Sequence, residues 1–304
     1  MHVSIGFWLL VNNVLCYIIN DIIIKVNFME ILVAPKLKKY KKIGLALGGG
    51  GARGFALIGA IRAFEEENIK FDYISGTSIG SIVGAMLAGG ITSEQMQDVA
   101  TNIKVKDVRK SLVPFMPSST ENVENIIIKM LGDIDVSDLK IPFCAVAVDM
   151  ISGNEVDITK GRLCKALAGS CAVPTVFNAV QFEDKLLFDG GLQNTIPADV
   201  LRKFGCDAVV AIDINSTRGN GTDSKKYLDL LMTSIRVMMK SNAIKGYLNA
   251  DIMIKPDLKR FSASKTTGMI EMIEEGYRAT KAMMPKIKEL FRRKKLKKHW
   301  WSLR

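Results

Sequence analysis

From Ile43 onward, short apolar runs alternate with stretches in which apolar residues recur every three to four positions. Ile43 to Leu47 and Phe71 to Ile74 read as buried strands, each followed by a helix, Phe55 to Glu67 and Ile79 to Ala88. Further strands are predicted at Ile141 to Val148 and Ala208 to Ile214, with shorter ones near Glu155 to Ile158, Leu186 to Phe188 and Ile252 to Ile254. Helices are predicted at Ser93 to Asn102, Glu121 to Leu131, Gly161 to Ala168, Pro197 to Phe204, Lys225 to Leu248 and Met269 to Phe291. Pro197 in a first turn and Gly205 after a last turn mark helix boundaries. Strands alternating with helices imply an α/β fold, a largely parallel sheet with helices on both faces. No repeat and no linker interrupts the pattern after Tyr40. Residues 41–285 therefore read as one domain, preceded by a hydrophobic then basic extension (1–40) and followed by a basic tail (286–304).

With 304 residues and 48% hydrophobic content the chain has ample material for a core, which excludes a disordered or fibrous protein. The net charge of +11 is concentrated in the flanks. From Lys286 to Arg304, nine Lys or Arg face the single Glu289, a surplus of +8, and five lysines between Lys36 and Lys42 add +5, so the body carries about −2. A basic nucleic-acid groove is excluded on that ground. The two histidines, His2 and His299, lie near the termini, so catalysis is expected to proceed without histidine. The five cysteines form an odd set with no C-x-x-C spacing, which points away from a disulfide framework or a zinc site and toward free thiols in a reducing compartment.

Val3 to Asn20 carries no charge and has about the length of a membrane helix, although Asn12, Asn13 and Asn20 are costly in hydrocarbon. Two readings stand: an anchor whose flanking lysines keep the rest on the cytoplasmic side, or residues upstream of a true start at Met29. The end RRKKLKKHWWSLR joins cations to tryptophans, which suits docking on an anionic membrane surface; a solvated tail is the plainer reading. A cytoplasmic location is expected, peripheral to or anchored at the inner membrane face. Methionines recur in the last two long helices, at Met232, Met238, Met239, Met269, Met272, Met283 and Met284, as core filling or as lipid-facing surface.

The first chemical motif is Gly48-Gly49-Gly50-Gly51-Ala52-Arg53-Gly54, after a strand and before a helix. Such a loop presents backbone N–H groups beside a helix N-terminus and favours an anion. Gly49-x-Gly51-x-x-Gly54 also satisfies the dinucleotide fingerprint, with Asp72 near the spacing of a ribose ligand, while the G-K-[ST] ending of a P-loop is missing. Gly76-Thr77-Ser78-Ile79-Gly80 decides between these readings. It lies between a predicted strand and a predicted helix, so Ser78 would occupy a sharp turn with its hydroxyl presented. A dinucleotide enzyme has no use for this second turn, whereas acyl transfer needs a nucleophile and a set of oxyanion donors. Without histidine the base must be a carboxylate. By spacing, Asp149, Asp189 and Asp213 each follow an apolar run, and Gly190 and Gly191 favour Asp189 by allowing close approach.

Three ordered motifs, GGGGARG, GTSIG and DGG, spread over about Ile43 to Ile214, resemble those of the patatin-like phospholipases, lipid acyl hydrolases of plants, animals and bacteria. SCAVPTVF at Ser170 to Phe177 is similar to bacterial members. The resemblance implies an α/β sandwich distinct from the α/β-hydrolases and a Ser78–Asp189 dyad. It also implies an oxyanion hole from the backbone of Gly49, Gly50 and Gly51 with Arg53 nearby, and hydrolysis of lipid esters with neither metal nor organic cofactor. Gly54, Gly76, Gly80, Gly190 and Gly191 are its remaining motif glycines. Asn178-Ala179 departs from the proline common in relatives, which bears on the wall of the acyl pocket. The rival readings are a lipid-binding module without turnover and a dinucleotide-dependent oxidoreductase. The expected partner is a lipid substrate; no pattern specifies an oligomeric state.

Overall fold

The computed structural model describes residues 40–102, 117–216, 226–263 and 265–295. In chain order these form β1 (Ile43–Leu47), α1 (Phe55–Glu66), β2 (Tyr73–Thr77), α2 (Ile79–Gly89), α3 (Ser93–Asn102), α4 (Glu121–Leu131), β3 (Phe143–Asp149) and β4 (Glu155–Ile158). There follow α5 (Leu163–Ser170), β5 (Val180–Phe182), β6 (Lys185–Asp189), α6 (Ala198–Lys203), β7 (Ala208–Ile212), α7 (Tyr227–Ser241), α8 (Ile244–Asn249), β8 (Ile252–Ile254) and α9 (Met269–Lys295). The candidate span Val3 to Asn20 and the end of the basic tail lie outside the described residues. Among the described residues, no helix is long and apolar enough to cross a membrane.

The period of two along a strand assigns each side chain of β1 to a face. Ile43, Leu45 and Leu47 enter the larger core with residues of α1, α2 and α9, while Ala46 joins a smaller core with Ile196 and Leu201 on the other side. β7 repeats this: Ala208, Val210 and Ile212 face the first core, Val209 and Ala211 the second. Burying each large aliphatic side chain contributes about 1.5–3 kcal/mol, which makes β1 and β7 the anchor of both layers.

The strand order is β5-β6-β3-β2-β1-β7-β8, with β4 also paired to β3. From β3 to β8 the ladder is parallel. β4 and β6 run antiparallel to β3, and β5 antiparallel to β6, so the sheet is mixed, mostly parallel, with helices on both faces. One register matters most for function. Thr77 at the end of β2 pairs with Val146, and Asp189 at the end of β6 pairs with Ala147, so β3 receives the two motif-bearing strand ends at adjacent positions.

Several elements differ from the sequence reading. β5 was not foreseen, and β2 runs through Gly76 and Thr77 up to Ser78 rather than stopping at Ile74. The long helix expected from Lys225 to Leu248 is two helices: the Asn242 side chain donates to the Leu192 carbonyl (2.6 Å) between them, and Ala243 sinks into the smaller core. α9 extends into the region assigned to a tail, with Ile287 and Leu290 buried in the core. The methionines divide as well. Met272 and Met284 are core, Met238 is exposed, and Met232 has no described side chain.

Candidate active site

Ser78 stands between β2 and α2 with φ 55° and ψ −131°, a conformation that costs a non-glycine residue about 1–3 kcal/mol and persists only when its surroundings hold it. The holding groups are explicit. The Ser78 amide donates to the Ser170 hydroxyl (3.0 Å), which donates to the Val146 carbonyl (2.6 Å). The Ser78 carbonyl accepts from the Ser81 amide (2.8 Å) and the Ser81 hydroxyl (2.6 Å). The flanking glycines are needed for space: a Cβ on Gly76 would overlap the Gly80 carbonyl, and one on Gly80 would overlap that of Leu47. Ser78 itself is 8% exposed and lines a cavity.

The glycine loop lies against this turn. The Gly48 amide donates to Ile212 (3.0 Å) and the Gly49 amide to the Thr195 carbonyl (3.0 Å). That corrects the expectation for Gly49: its N–H is already engaged, and its contribution is room, since a Cβ would stand 3.1 Å from that of Ser78. Gly50 and Gly51 both line the cavity at the start of the 3-10 turn Gly51–Gly54, and among the described residues neither amide is matched to a backbone acceptor outside that turn. Opening N–H groups of this kind attract negative charge. Arg53 is also corrected. Its guanidinium is buried, donating to the Phe261 carbonyl (2.8 and 3.1 Å) and Asn215 Oδ1 (3.3 Å), and it does not line the cavity. Asn215 in turn donates to the Gly49 carbonyl (2.6 Å), so Arg53 clasps the loop from behind. Gly54 admits Ile79, and Gly190 lies on the Val146 carbonyl.

The three aspartates separate by their partners. Asp149 accepts from the amides of Ile151, Ser152 and Leu186 (3.1 Å each) and from the Ser152 hydroxyl (2.7 Å), which together hold its carboxyl down to about 2. Asp213 accepts from the Asn215 amide (2.8 Å) and the Tyr247 hydroxyl (2.7 Å), one on each oxygen. Among the described residues, Asp189 accepts the Gly191 amide on Oδ1 (2.8 Å), and its buried Oδ2 receives no hydrogen bond of full geometry. Burial pushes its carboxyl up to about 6. The adjacent Ser78 hydroxyl and the Gly191 amide oppose that rise, the hydroxyl without a hydrogen bond of full geometry to Oδ2.

The turn carrying Asp189 is pinned to the elbow from several sides. Thr77 Oγ1 donates to the Asn194 carbonyl (2.8 Å) and Ser75 Oγ to that of Pro197 (2.8 Å). Ser170 opens the SCAVPTVF motif, but its bond to the Ser78 amide was not legible there, and Ser75 and Asn215, single polar residues outside any motif, carry no local signal of their bonds.

Ser78, Asp189, Gly50 and Gly51 open into one cavity of about 1090 Å³, beside the roughly 300–1,000 Å³ of ordinary ligand pockets. Its wall is largely apolar, with Val83, Met86, Ile127, Val173 and Phe177 among the lining residues. Cys171 lies beside Ser78, but burial pushes its thiol up, leaving it a poor nucleophile. It and Cys144, Cys164 and Cys206 are free. Asn178 is exposed, and its amide donates to the Ser118 carbonyl (3.0 Å), a bond a proline could not make. Among the described residues no cluster of His, Cys, Asp or Glu is arranged to hold a metal ion. Asp72 accepts from the Ile43 amide (2.7 Å) at the start of β1. The glycine loop follows the other end of that strand, roughly 16 Å away at about 3.3 Å per residue, which removes the ribose ligand the dinucleotide reading requires.

The family model of the patatin-like phospholipases matches residues 45–202, the span that contains every part of this site up to the Asp189 turn. The chain belongs to the patatin-like phospholipase family. An uncharacterized NTE family protein of Mycobacterium tuberculosis is 28% identical over 218 residues, covering 68% of this chain and 60% of that protein. Patatin-like phospholipase domain-containing protein 7 of Mus musculus is 32% identical over 203 residues, 62% of this chain but 14% of that protein. This patatin-like chain thus spans about 60% of the length of the mycobacterial relatives it matches. Its fold is similar to that of VipD from Legionella pneumophila, with a TM-score of 0.52 at 14% identity over 81% of this chain and 67% of that one.

Proposed function

We propose that the protein is a serine lipid acyl hydrolase in which Ser78 is the nucleophile and Asp189 its base. The observation that carries this reading is the buried, unpartnered Oδ2 of Asp189 in the same cavity as the Ser78 hydroxyl. A carboxylate of ordinary pKa is a weak base toward a hydroxyl; one raised to about 6 remains ionised at neutral pH and accepts a proton more readily.

Ser78 Oγ attacks the acyl carbonyl carbon as its proton passes to Asp189. The oxyanion is met by the amides of Gly50 and Gly51, held in place by the Arg53 and Asn215 clasp. Asp189 then returns the proton to the leaving alcohol oxygen as the ester C–O bond breaks, giving an acyl-enzyme. Water attacks that acyl group with Asp189 again taking the proton, which goes back to Ser78 Oγ as the fatty acid departs. The apolar wall supplies binding for the chain, at about 0.8 kcal/mol per methylene removed from water.

The test is incubation with a mixed lipid extract followed by mass spectrometry. The natural chain is expected to release free fatty acids, and Ser78→Ala to release none above the enzyme-free level. Fatty-acid release by Ser78→Ala at the natural rate would overturn the assignment.

A further inference from the structure

α7 is mostly apolar, yet none of its described side chains is buried. Tyr227, Leu230, Val237, Ile244 and Leu248 recur at alternating steps of three and four, with Ser234 and Ser241 completing the series. That spacing puts them on one helical face. Asn242 and Ala243, which join α7 to α8, keep near-helical dihedrals (φ −72°, ψ −10° and φ −66°, ψ −16°), so the face carries over. Six of the nine exposed large hydrophobic side chains among the described residues lie on these two helices, which makes this a patch rather than a scatter. Met238 and Leu248 are 60% and 78% exposed.

Two further observations say what covers the patch. Val237 and Ile244 are exposed and also line the cavity, so the apolar face is continuous with the space that would take an acyl chain. Charge is the second. From Lys226 to Asn249 the basic residues are Lys226, Arg236, Lys240 and Lys245, against the single acid Asp229; Lys245 is ion-paired with Glu155 (2.8 Å), while Arg236 and Lys240 lie at the cavity. An apolar face bordered by cations fits the boundary of an anionic bilayer. The serines at two positions of the series interrupt the seam that pairing with a second copy would need.

We propose that the outer face of α7 and α8 docks on an anionic lipid surface and turns the cavity mouth toward it. The surface also bears on the Asp189 turn. The Thr195 hydroxyl donates to the Met239 carbonyl (2.6 Å), Asn242 reaches Leu192, and Met239 rests on Gly191. Docking itself does not depend on turnover; only the identity of what enters the cavity rests on the proposed acyl hydrolysis.

The experiment is co-sedimentation of the full chain with vesicles of phosphatidylcholine mixed with phosphatidylglycerol. It is run for the natural chain and for the triple variant Leu230→Glu, Met238→Glu, Leu248→Glu, none of which lines the cavity. The natural chain is expected to bind, and the triple variant to bind about tenfold more weakly or worse. Its Tm and its hydrolysis of a water-soluble short-chain ester should stay unchanged. Equal binding by the triple variant would overturn the proposal. So would loss of binding only in Lys297→Gln, Lys298→Gln, Arg304→Gln, which assigns docking to the tail. A natural chain that is dimeric, binds no vesicles, and becomes monomeric in the triple variant would give the face to a second copy. If vesicle binding depends on the face but no fatty acid is released, docking stands and the hydrolase reading falls.

Discussion

Asp149 ends β3 and Asp189 ends β6, and the two strands pair antiparallel, with Asp149 opposite Leu187 and Asp189 opposite Ala147. Both side chains are almost fully buried. Asp149 is surrounded by three amides and a hydroxyl, and its carboxyl is held down to about 2. Asp189 has one amide, and its carboxyl is pushed up to about 6. Desolvation is the larger cause at Asp189 and donor bonds the larger cause at Asp149, so depth in the core and the number of donors separate the two together. A carboxylate saturated by its own turn has no oxygen left for a substrate proton, whereas one with a bare oxygen beside a hydroxyl suits the base role proposed for Asp189.

The sharpest way to break this contrast is Asp189→Asn. It is expected to lower ester hydrolysis by about 10³-fold or more while the fold survives, by analogy with other nucleophile–base units. The same change should raise stability. A carboxyl raised from 3.8 to about 6 destabilises the folded state once ionised, by at most about 3 kcal/mol at 1.36 kcal/mol per pKa unit. The sign is that of a raised pKa: the favourable contribution is complete below pH 3.8 and is lost as pH rises through about 6. Asp189→Asn should therefore melt higher than the natural chain at pH 8, with the gap closing below pH 4; an unchanged gap across that range would contradict the burial argument.

Ser170→Ala comes next. It removes the acceptor of the Ser78 amide without touching the cavity's polar groups, and misplacement of the nucleophile should cost about 10- to 100-fold in kcat with KM little changed. Equal kcat would mean that the elbow holds Ser78 without it. The smallest effect on activity is expected from Asp149→Asn, which should leave turnover intact and lower Tm at neutral pH. Because the Asp149 pKa is depressed, its stabilisation is present above pH 3.8 and fades as pH falls toward about 2, so the difference in Tm should shrink over that window. Loss of activity comparable to that of Asp189→Asn would move the base to Asp149.

The local part of this design was legible in the chain. The β-α-β-α start, the elbow at Ser78 and the glycine loop all rest on contiguous residues whose turn chemistry and apolar periods are self-contained. What could not be read was tertiary. Spacing left three aspartates open, because the distinction lies in donors brought by turns and by β6, and the convergence of Thr77 and Asp189 on β3 is a matter of register. The Gly49 amide looked available until Thr195 arrived from after the Asp189 turn, and Arg53 looked like an oxyanion neighbour until the Phe261 carbonyl claimed it. The methionine stripe divided the same way. In α9 it meets α1 and becomes core, whereas in α7 nothing described covers Met238.

If Asp189 activates Ser78, covalent labelling of Ser78 by a fluorophosphonate measures that activation without reference to any lipid. The rate in the natural chain should rise with pH through about 6 and level off, while Asp189→Asn should label about 10³-fold more slowly, without that inflection. Equal rates in the two proteins, or a label found on a residue other than Ser78, would contradict the account.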